Sequence, residues 1–328
     1  MHVLGIDAGG TKTVALLADA DGRIVGEGRA GAANLATEGE LEVEKILHTV
    51  IEQATDGRDV VFAGVCLGMA GVDRKDDGQI LRALMRRLGF RTKTLIVNDA
   101  LIALVAGAGD GPGLVVVSGT GSIAYGVNHR GLAARAGGWG PTLADEGSAY
   151  WIGRRALVAV MRAADGRGPR TELTPMVLNH FSLPRPDSLV AEIYHHPQSR
   201  RSIASLGLVV EQARAAGDTV AVEIMTDAAN ELALAATSVI ARLDMRGQQF
   251  AMLLAGGMFK PGTGSGEPAI DSWLTGEVRR RMAEVAPRSV VRPLAEEPAV
   301  GAVRLAIAEA RGGALVPPYI DALQSTAP

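Results

Sequence analysis

The sequence predicts an α/β fold built as two domains. Short β-prone runs alternate with helical stretches through the first half of the chain, which argues for a central sheet. A strand–glycine turn–strand unit opens the chain, and a second unit of the same form recurs over Leu114–Val127. The length, 328 residues, exceeds one ordinary domain of roughly 150. The expected division is 1–117 and 118–328.

His2–Ile6 is short and apolar and reads as a strand, followed by a turn over Asp7–Lys12 and a second strand over Thr13–Ala18. Asp19–Arg23 has turn chemistry, and Ile24–Arg29 resumes an extended pattern. From Glu38 to Ala54 the apolar residues Leu41, Val43, Ile46, Leu47, Val50 and Ile51 follow a helical period. Val60–Leu67 reads as a buried strand, Gly78–Leu88 as a helix, Thr94–Val97 as a strand and Ala100–Ala106 as a helix. Gly107–Gly113 reads as a linker or tight loop, and Leu114–Val117 and Ile123–Val127 as a second strand pair around Ser118–Ser122. The second half is mainly helical, over Glu146–Arg162, Thr219–Leu243, Ser272–Glu284 and Ala299–Ala310, with a strand over Phe250–Ala255. Arg167–Pro197 carries Pro169, Pro175, Pro184, Pro186 and Pro197 and reads as an irregular connection. Gly262–Pro268 reads as a loop.

Composition excludes several classes of function. There are 33 basic and 36 acidic residues, a net charge of −3, which is not the footprint of a nucleic-acid binder. The single cysteine, Cys66, cannot supply an internal disulfide, a cysteine-rich zinc site or a cysteine-ligated cluster within one chain. No apolar run reaches the roughly 18 residues of a membrane span, and the N-terminus shows no signal-peptide pattern. The expectation is a cytoplasmic protein that engages neither membrane nor nucleic acid.

What stands out is where the 41 glycines sit. Asp7-Ala8-Gly9-Gly10-Thr11-Lys12-Thr13 can bring several backbone N–H groups close to a phosphate. Thr11 and Thr13 add hydroxyls, Lys12 adds a charge, and Asp7 could hold Mg²⁺ through water. A strand rather than a helix follows, so this is neither a Walker loop nor a dinucleotide fingerprint. Ser118-Gly119-Thr120-Gly121-Ser122 is a second turn of the same kind. Either could be a glycine-rich hairpin and nothing more, but two such turns facing across a cleft could grip one nucleotide's phosphates.

Four further places are candidates for the site. Asn98-Asp99-Ala100 ends a strand and opens a helix, so Asp99 is either a helix cap or a general base at the carboxyl end of a sheet strand. In Gly137–Ser148, which includes Gly138, Trp139 and Gly140, Trp139 could wall a pocket. There Asp145 could accept bonds from sugar hydroxyls, or Asp145 and Glu146 could simply be first-turn acids of the next helix. Asn34 is a polar loop residue that could face the same pocket, and Gly256-Gly257 could let a flat base or ribose lie against the backbone. The six histidines form no H-E-x-x-H motif, and no serine fits an esterase elbow.

Together these residues resemble the actin-like superfamily of sugar kinases, chaperones and actin, and more closely the BadF/BadG/BcrA/BcrD-type family at its N-acetylglucosamine kinase branch. Residues 5–13 resemble that family's first phosphate motif, 115–122 its second, 137–153 the segment shared by its sugar-kinase members, and 254–257 its adenosine motif. The resemblance implies two RNase H-like domains around a cleft. It implies transfer of phosphate from ATP, with Mg²⁺, to the 6-hydroxyl of an amino sugar. N-acetylglucosamine leads, with glucosamine, N-acetylmuramic acid or a sugar-free ATPase activator as alternatives. Asp99 would be the base. Asn34, Thr120, Gly121, Ser122, Gly138, Trp139, Gly140 and Asp145 would line the sugar and phosphates. Gly9, Gly10, Thr11, Lys12, Thr13 and Gly119 would hold the ATP phosphates. Ala213, placed through Gly217-Asp218, would line the adenosine side with Gly256 and Gly257. A homodimer is also implied. The dehydratase-activating branch ligates an iron–sulfur cluster through cysteines at a dimer interface, whereas Cys66 is this chain's only cysteine and lies in an apolar strand.

Overall fold

The computed structural model describes residues 1–72, 75–195, 199–260 and 272–312. The opening turn units form an antiparallel meander of β1 (His2–Ala8), β2 (Thr13–Ala18) and β3 (Ile24–Ala30). The β1 strand runs through Asp7 to Ala8, so Asp7 lies in the strand end rather than in the turn. Helices α1 (Leu35–Glu38) and α2 (Glu40–Thr55) lead to β4 (Phe62–Met69), which pairs parallel with β1. Helix α3 (Lys75–Arg87) leads to β5 (Thr94–Asn98), parallel to β4, and α4 (Asp99–Ala108) follows without a loop.

The second half repeats this plan. Strands β6 (Gly113–Ser118), β7 (Ser122–Val127) and β8 (Ala133–Gly137) form another antiparallel meander. Helices α5 (Ala149–Ala164), α6 (Leu173–His180), α7 (Leu189–His195), α8 (Ser199–Ala215) and α9 (Thr219–Arg242) come next. They are followed by β9 (Ala251–Ala255), α10 (Trp273–Val285), β10 (Val290–Pro293) and α11 (Pro298–Ala310). The two sheets are five-stranded, in the orders β3-β2-β1-β4-β5 and β8-β7-β6-β9-β10, each three antiparallel strands followed by two parallel ones. The two-domain α/β expectation is met by this duplicated topology. Helix α11 returns from the end of the described chain to pack on β1 and β4 of the first sheet.

Period-two alternation decides what each face of the first sheet does. Leu4, Ile6, Ala8, Ala15, Leu17, Val65, Leu67 and Met69 pack on Val43, Leu47, Val50 and Ala54 of α2 and on Leu81, Leu84 and Met85 of α3. The opposite face, carrying Val3, Val14, Leu16 and Cys66, packs on α4 and α11. Those two helices contact each other closely, and α4 also touches β6, β7 and β9. They are thus buried between the sheets, and this explains why the α4 sequence is apolar all round.

Several expectations need correction. The helix expected at Glu146 starts at Ala149, because the Ser148 side chain accepts from Trp151 N at 3.1 Å and takes the cap. The proline-rich stretch 167–197 is not irregular: it holds α6, a 3₁₀ turn at Pro186–Ser188 and α7. Pro175 lies in the first turn of α6 and Pro186 opens the 3₁₀ turn, positions where the missing N–H costs nothing. Strands β8 and β10 and helix α8 were not anticipated. Gly262–Pro268, His196 and Pro197 lie outside the described residues. No helix among the described residues is long and apolar enough to cross a membrane.

Candidate active site

Each meander turn sits where its sheet faces the other. In the first turn, Gly9 N donates to Lys12 O at 3.0 Å, and Thr13 Oγ1 donates to Gly31 O at 2.8 Å, fixing the neighbouring loop. In the second, Gly119 N donates to Gly121 O at 2.9 Å and Ala149 N donates to Gly119 O at 2.8 Å. The hydroxyls of Thr11 and Thr120 meet at 3.1 Å although 109 positions separate them. Gly10, Thr11 and Lys12 are exposed, while Gly9, Gly119, Thr120 and Gly121 are half-buried. The structure therefore brings the two turns against each other, with hydroxyls from both sides in contact.

Asp7 shares its β1 face with Val3 and Gly5 and lies beneath the first turn, only 7% exposed. Burial, and then the nearby Asp99 carboxylate, push its carboxyl up to about 7, while Lys12 acts in the opposite sense. The opening of α4 explains where Asp99 stands. The Asn98 side chain accepts from Ala100 N at 2.8 Å and is the cap, so Asp99 is the first helical residue and is not needed as a cap. Asp99 is half-buried. Glu297, the residue before α11, adds a smaller upward push on the Asp7 carboxyl. Lys12 Nζ donates to both Glu297 oxygens at 3.0 and 2.8 Å, and Arg29 approaches the same carboxylate at 3.4 Å. Burial opposes ionisation of Glu297, but Lys12 and Arg29 outweigh it and hold its pKa below the usual range.

The loop between β8 and α5 is bolted to the second turn. Ser118 Oγ donates to Gly147 O and Ser122 Oγ to Glu146 O, both at 2.7 Å. Gly137, Gly138, Gly140, Asp145 and Gly147 all adopt positive φ. Asp145, at φ 69°, is 3% exposed and accepts backbone N–H bonds from Ser122 and Gly140 as well as Arg200 Nη2 at 3.3 Å. Burial raises its pKa, and Arg200 and the two N–H groups offset part of that. Asp145 and Glu146 are therefore not first-turn acids. A non-glycine residue held in the left-handed region and buried costs on the order of 1–3 kcal/mol, a pattern that favours a functional reading. Trp139 is 55% exposed, with the Arg135 guanidinium 4.1 Å from its ring centre.

Gly256 ties the adenosine motif to the second turn. Its φ is 102°, and a Cβ there would lie 2.3 Å from Ser118 O, so only glycine permits this approach. Gly257 opens the 3₁₀ turn that follows. Asn34 Nδ2 would lie 3.9 Å from a Cβ on Gly71, and Ala33 N donates to Gly9 O at 3.1 Å, which ties the Asn34 loop to the first turn. Ala213 is fully buried in the helical core of the second half, so its side chain presents no open surface there. Arg200, Glu297 and Arg135 did not figure among the sequence candidates. Arg200 and Glu297 reach the site from 55 and 285 positions away from Asp145 and Lys12, so no local spacing marks them.

For a divalent cation, the fit rests on Asp7: a buried carboxylate crowded by a second carboxylate is relieved by a nearby cation. No cluster of three or more metal-type side chains occurs among the described residues, so phosphate oxygens and water would complete the coordination.

The sequence model of the BadF/BadG/BcrA/BcrD ATPase family matches residues 4–306. The chain is 37% identical over 260 residues to an N-acetylmuramic acid/N-acetylglucosamine kinase of Clostridium acetobutylicum, covering 78% of this chain and 85% of that protein. It is 35% identical over 271 residues to the N-acetyl-D-glucosamine kinase of Dictyostelium discoideum, covering 77% and 84%. Among solved structures, a candidate N-acetylglucosamine kinase from Chromobacterium violaceum superposes with a TM-score of 0.72 at 25% identity, covering 93% of this chain and 98% of that one. Matched over nearly its whole described length and carrying the two turns in contact, the chain belongs to the BadF/BadG/BcrA/BcrD ATPase family.

Proposed function

We propose that this chain is an ATP-dependent kinase that phosphorylates the 6-hydroxyl of an amino sugar, N-acetylglucosamine foremost. The observation that carries the reading is the Thr11–Thr120 contact, which brings two glycine turns together beside Asp7 and Asp99. The curated relatives, named for amino-sugar phosphorylation, support it.

Gly9, Gly10, Thr11, Lys12 and Thr13 hold the triphosphate from one side, and Gly119 and Thr120 from the other. Gly256 and Gly257 line the adenosine, while Ala213 acts at most as packing behind it. Gly121, Ser122, Gly138, Trp139, Gly140, Asp145 and Asn34 shape the sugar pocket. Asp145, held by two backbone N–H groups, accepts a bond from a sugar hydroxyl. Asp99 accepts the proton of the 6-hydroxyl as its oxygen attacks the γ-phosphorus in line and ADP leaves. Asp7 would hold Mg²⁺ through water, where the ion neutralises phosphate charge. Lys12 exchanges its Glu297 partner for a phosphate oxygen. A two-unit division belongs to the same proposal, but its boundary lies before β6 rather than at residue 117, since all of Gly113–Ser118 pairs within the second sheet, and α11 is assigned to the N-terminal unit on which it packs. So does homodimerisation, which light scattering tests.

The test is an ADP-coupled assay across a panel of amino sugars. ADP release should depend on N-acetylglucosamine, and its absence with every amino sugar overturns the reading. Asp99→Asn should lower kcat by about 10²–10⁴-fold with ATP binding retained. Near-normal turnover in that variant removes Asp99 from the mechanism.

A further inference from the structure

Arg200 lies against the pocket loop. It sits in the first turn of α8 and reaches the pocket loop, where its Nη2 donates to Asp145 Oδ2. That bond, at 3.3 Å, is longer than the 2.7–2.9 Å usual for a charge-assisted contact. Its Nε is shielded from solvent and has no hydrogen-bond partner among the described residues. Nε–H and one N–H of Nη2 lie along the same edge of the guanidinium, the edge that pairs with a carboxylate in bidentate fashion. In Arg200 this edge is half used. A shielded, unpaired donor on a charged group is costly and calls for an explanation.

Asp145 does not supply one. Two backbone N–H groups and Arg200 already occupy three of its roughly four acceptor positions, leaving room for one sugar hydroxyl. The spare donor of Arg200 therefore lies beside the place where that hydroxyl is bound. A second guanidinium, that of Arg135, is stacked on Trp139 of the same loop and is 8% exposed. The pocket loop is thus flanked by two buried or half-buried cations, of which Arg135 is already engaged by Trp139.

We propose that Arg200 is a specificity-determining residue that reads a carboxylate carried on the amino sugar. The carboxylate is one borne on an ether next to the hydroxyl held by Asp145, as in the 3-O-lactyl group of N-acetylmuramic acid. The inference rests on the amino-sugar kinase reading and deepens it. A carboxylate fills the Nε–Nη2 edge with two charge-assisted bonds, whereas a neutral sugar leaves Nε–H unpaired.

The experiment measures ADP release by the wild-type chain, Arg200→Gln and Arg200→Lys with N-acetylglucosamine and N-acetylmuramic acid in parallel. The wild type should turn over both sugars. Arg200→Gln should raise KM for N-acetylmuramic acid about 10- to 100-fold, with a much smaller change for N-acetylglucosamine, whose turnover also reports that the variant folds. Arg200→Lys should recover part of the loss, since it restores charge without the fork. An equal loss with both sugars makes Arg200 a support for Asp145 only and overturns the inference. Wild-type turnover of N-acetylglucosamine with none of N-acetylmuramic acid also overturns it while the kinase reading stands. Turnover of neither sugar overturns both.

Discussion

Replacing Asp7 by Asn should stabilise the free protein while abolishing its use of ATP. The carboxyl of Asp7 rises from an ordinary 3.8 to about 7, because it is buried and faces Asp99. A raised carboxyl pKa means that the folded state keeps a proton which the unfolded chain releases. Between pH 4 and pH 7 the folded state therefore loses stability as pH rises, and above about 7 the penalty is fully present. A shift of about 3 units corresponds to an upper bound of ~4 kcal/mol at pH 8. Asn keeps the shape and removes the charge, so Asp7→Asn should be more stable by ~2–4 kcal/mol at pH 8 and nearly equal to the wild type at pH 4. Urea unfolding of both proteins without nucleotide, across this pH range, reads the difference directly. Titration of Mg-ATP by calorimetry should show binding in the wild type and none in the variant. A variant that unfolds earlier than the wild type at pH 8, or a difference that does not shrink on acidification, would refute the account. Asp7 would then be a carboxylate the fold needs rather than one it tolerates.

Gly256→Ala should lose ~2–5 kcal/mol, since its Cβ meets Ser118 O at 2.3 Å and Gly119 N at 2.9 Å at a φ of 102°. Its KM for ATP should rise more than its KM for sugar, and unchanged stability and KM would show that the second turn is not seated on Gly256. Cys66 is fully buried and burial raises its thiol pKa well above the usual range, so iodoacetamide should label it only in denaturant. Rapid labelling of the native protein would contradict the packing of β4 on α11.

Where periodicity was strong, the sequence was readable. Strands β1, β2, β6 and β7, helix α2 and the apolar α4 followed from apolar runs and helical spacing, because each buries at least one full face. The α2 pattern still misled in detail: Leu41 fits the period but is 68% exposed, and the buried face is Val43, Leu47, Val50 and Ala54. Strands β8 and β10 gave little signal, being short, with Ala-Ala-Arg-Ala-Gly in one and a terminal proline in the other. Helix α8 has Ile203, Leu206, Val210 and Ala213 on its buried side, but it adjoins the prolines that suggested loop. In the site, the two turns were legible because glycine and hydroxyl residues cluster locally. That Asp99 is not the helix cap was not, since it turned on a single Asn98 hydrogen bond. Lys12–Glu297 and Asp145–Arg200 were invisible for a different reason: tertiary folding alone brings those partners together.

The seat of α11 bears on how the protein comes off the ribosome. Val3, Val14 and Leu16 rest on a helix that begins at Pro298, and the backbone of Gly5 lies so close to it that a Cβ would stand 2.4 Å from Val303 N. A nascent chain that has emerged only as far as α4 leaves this sheet face without the helix that covers it. The first sheet to be synthesised is thus among the last to be completed, and over that interval its bare apolar surface is a natural client for a chaperone.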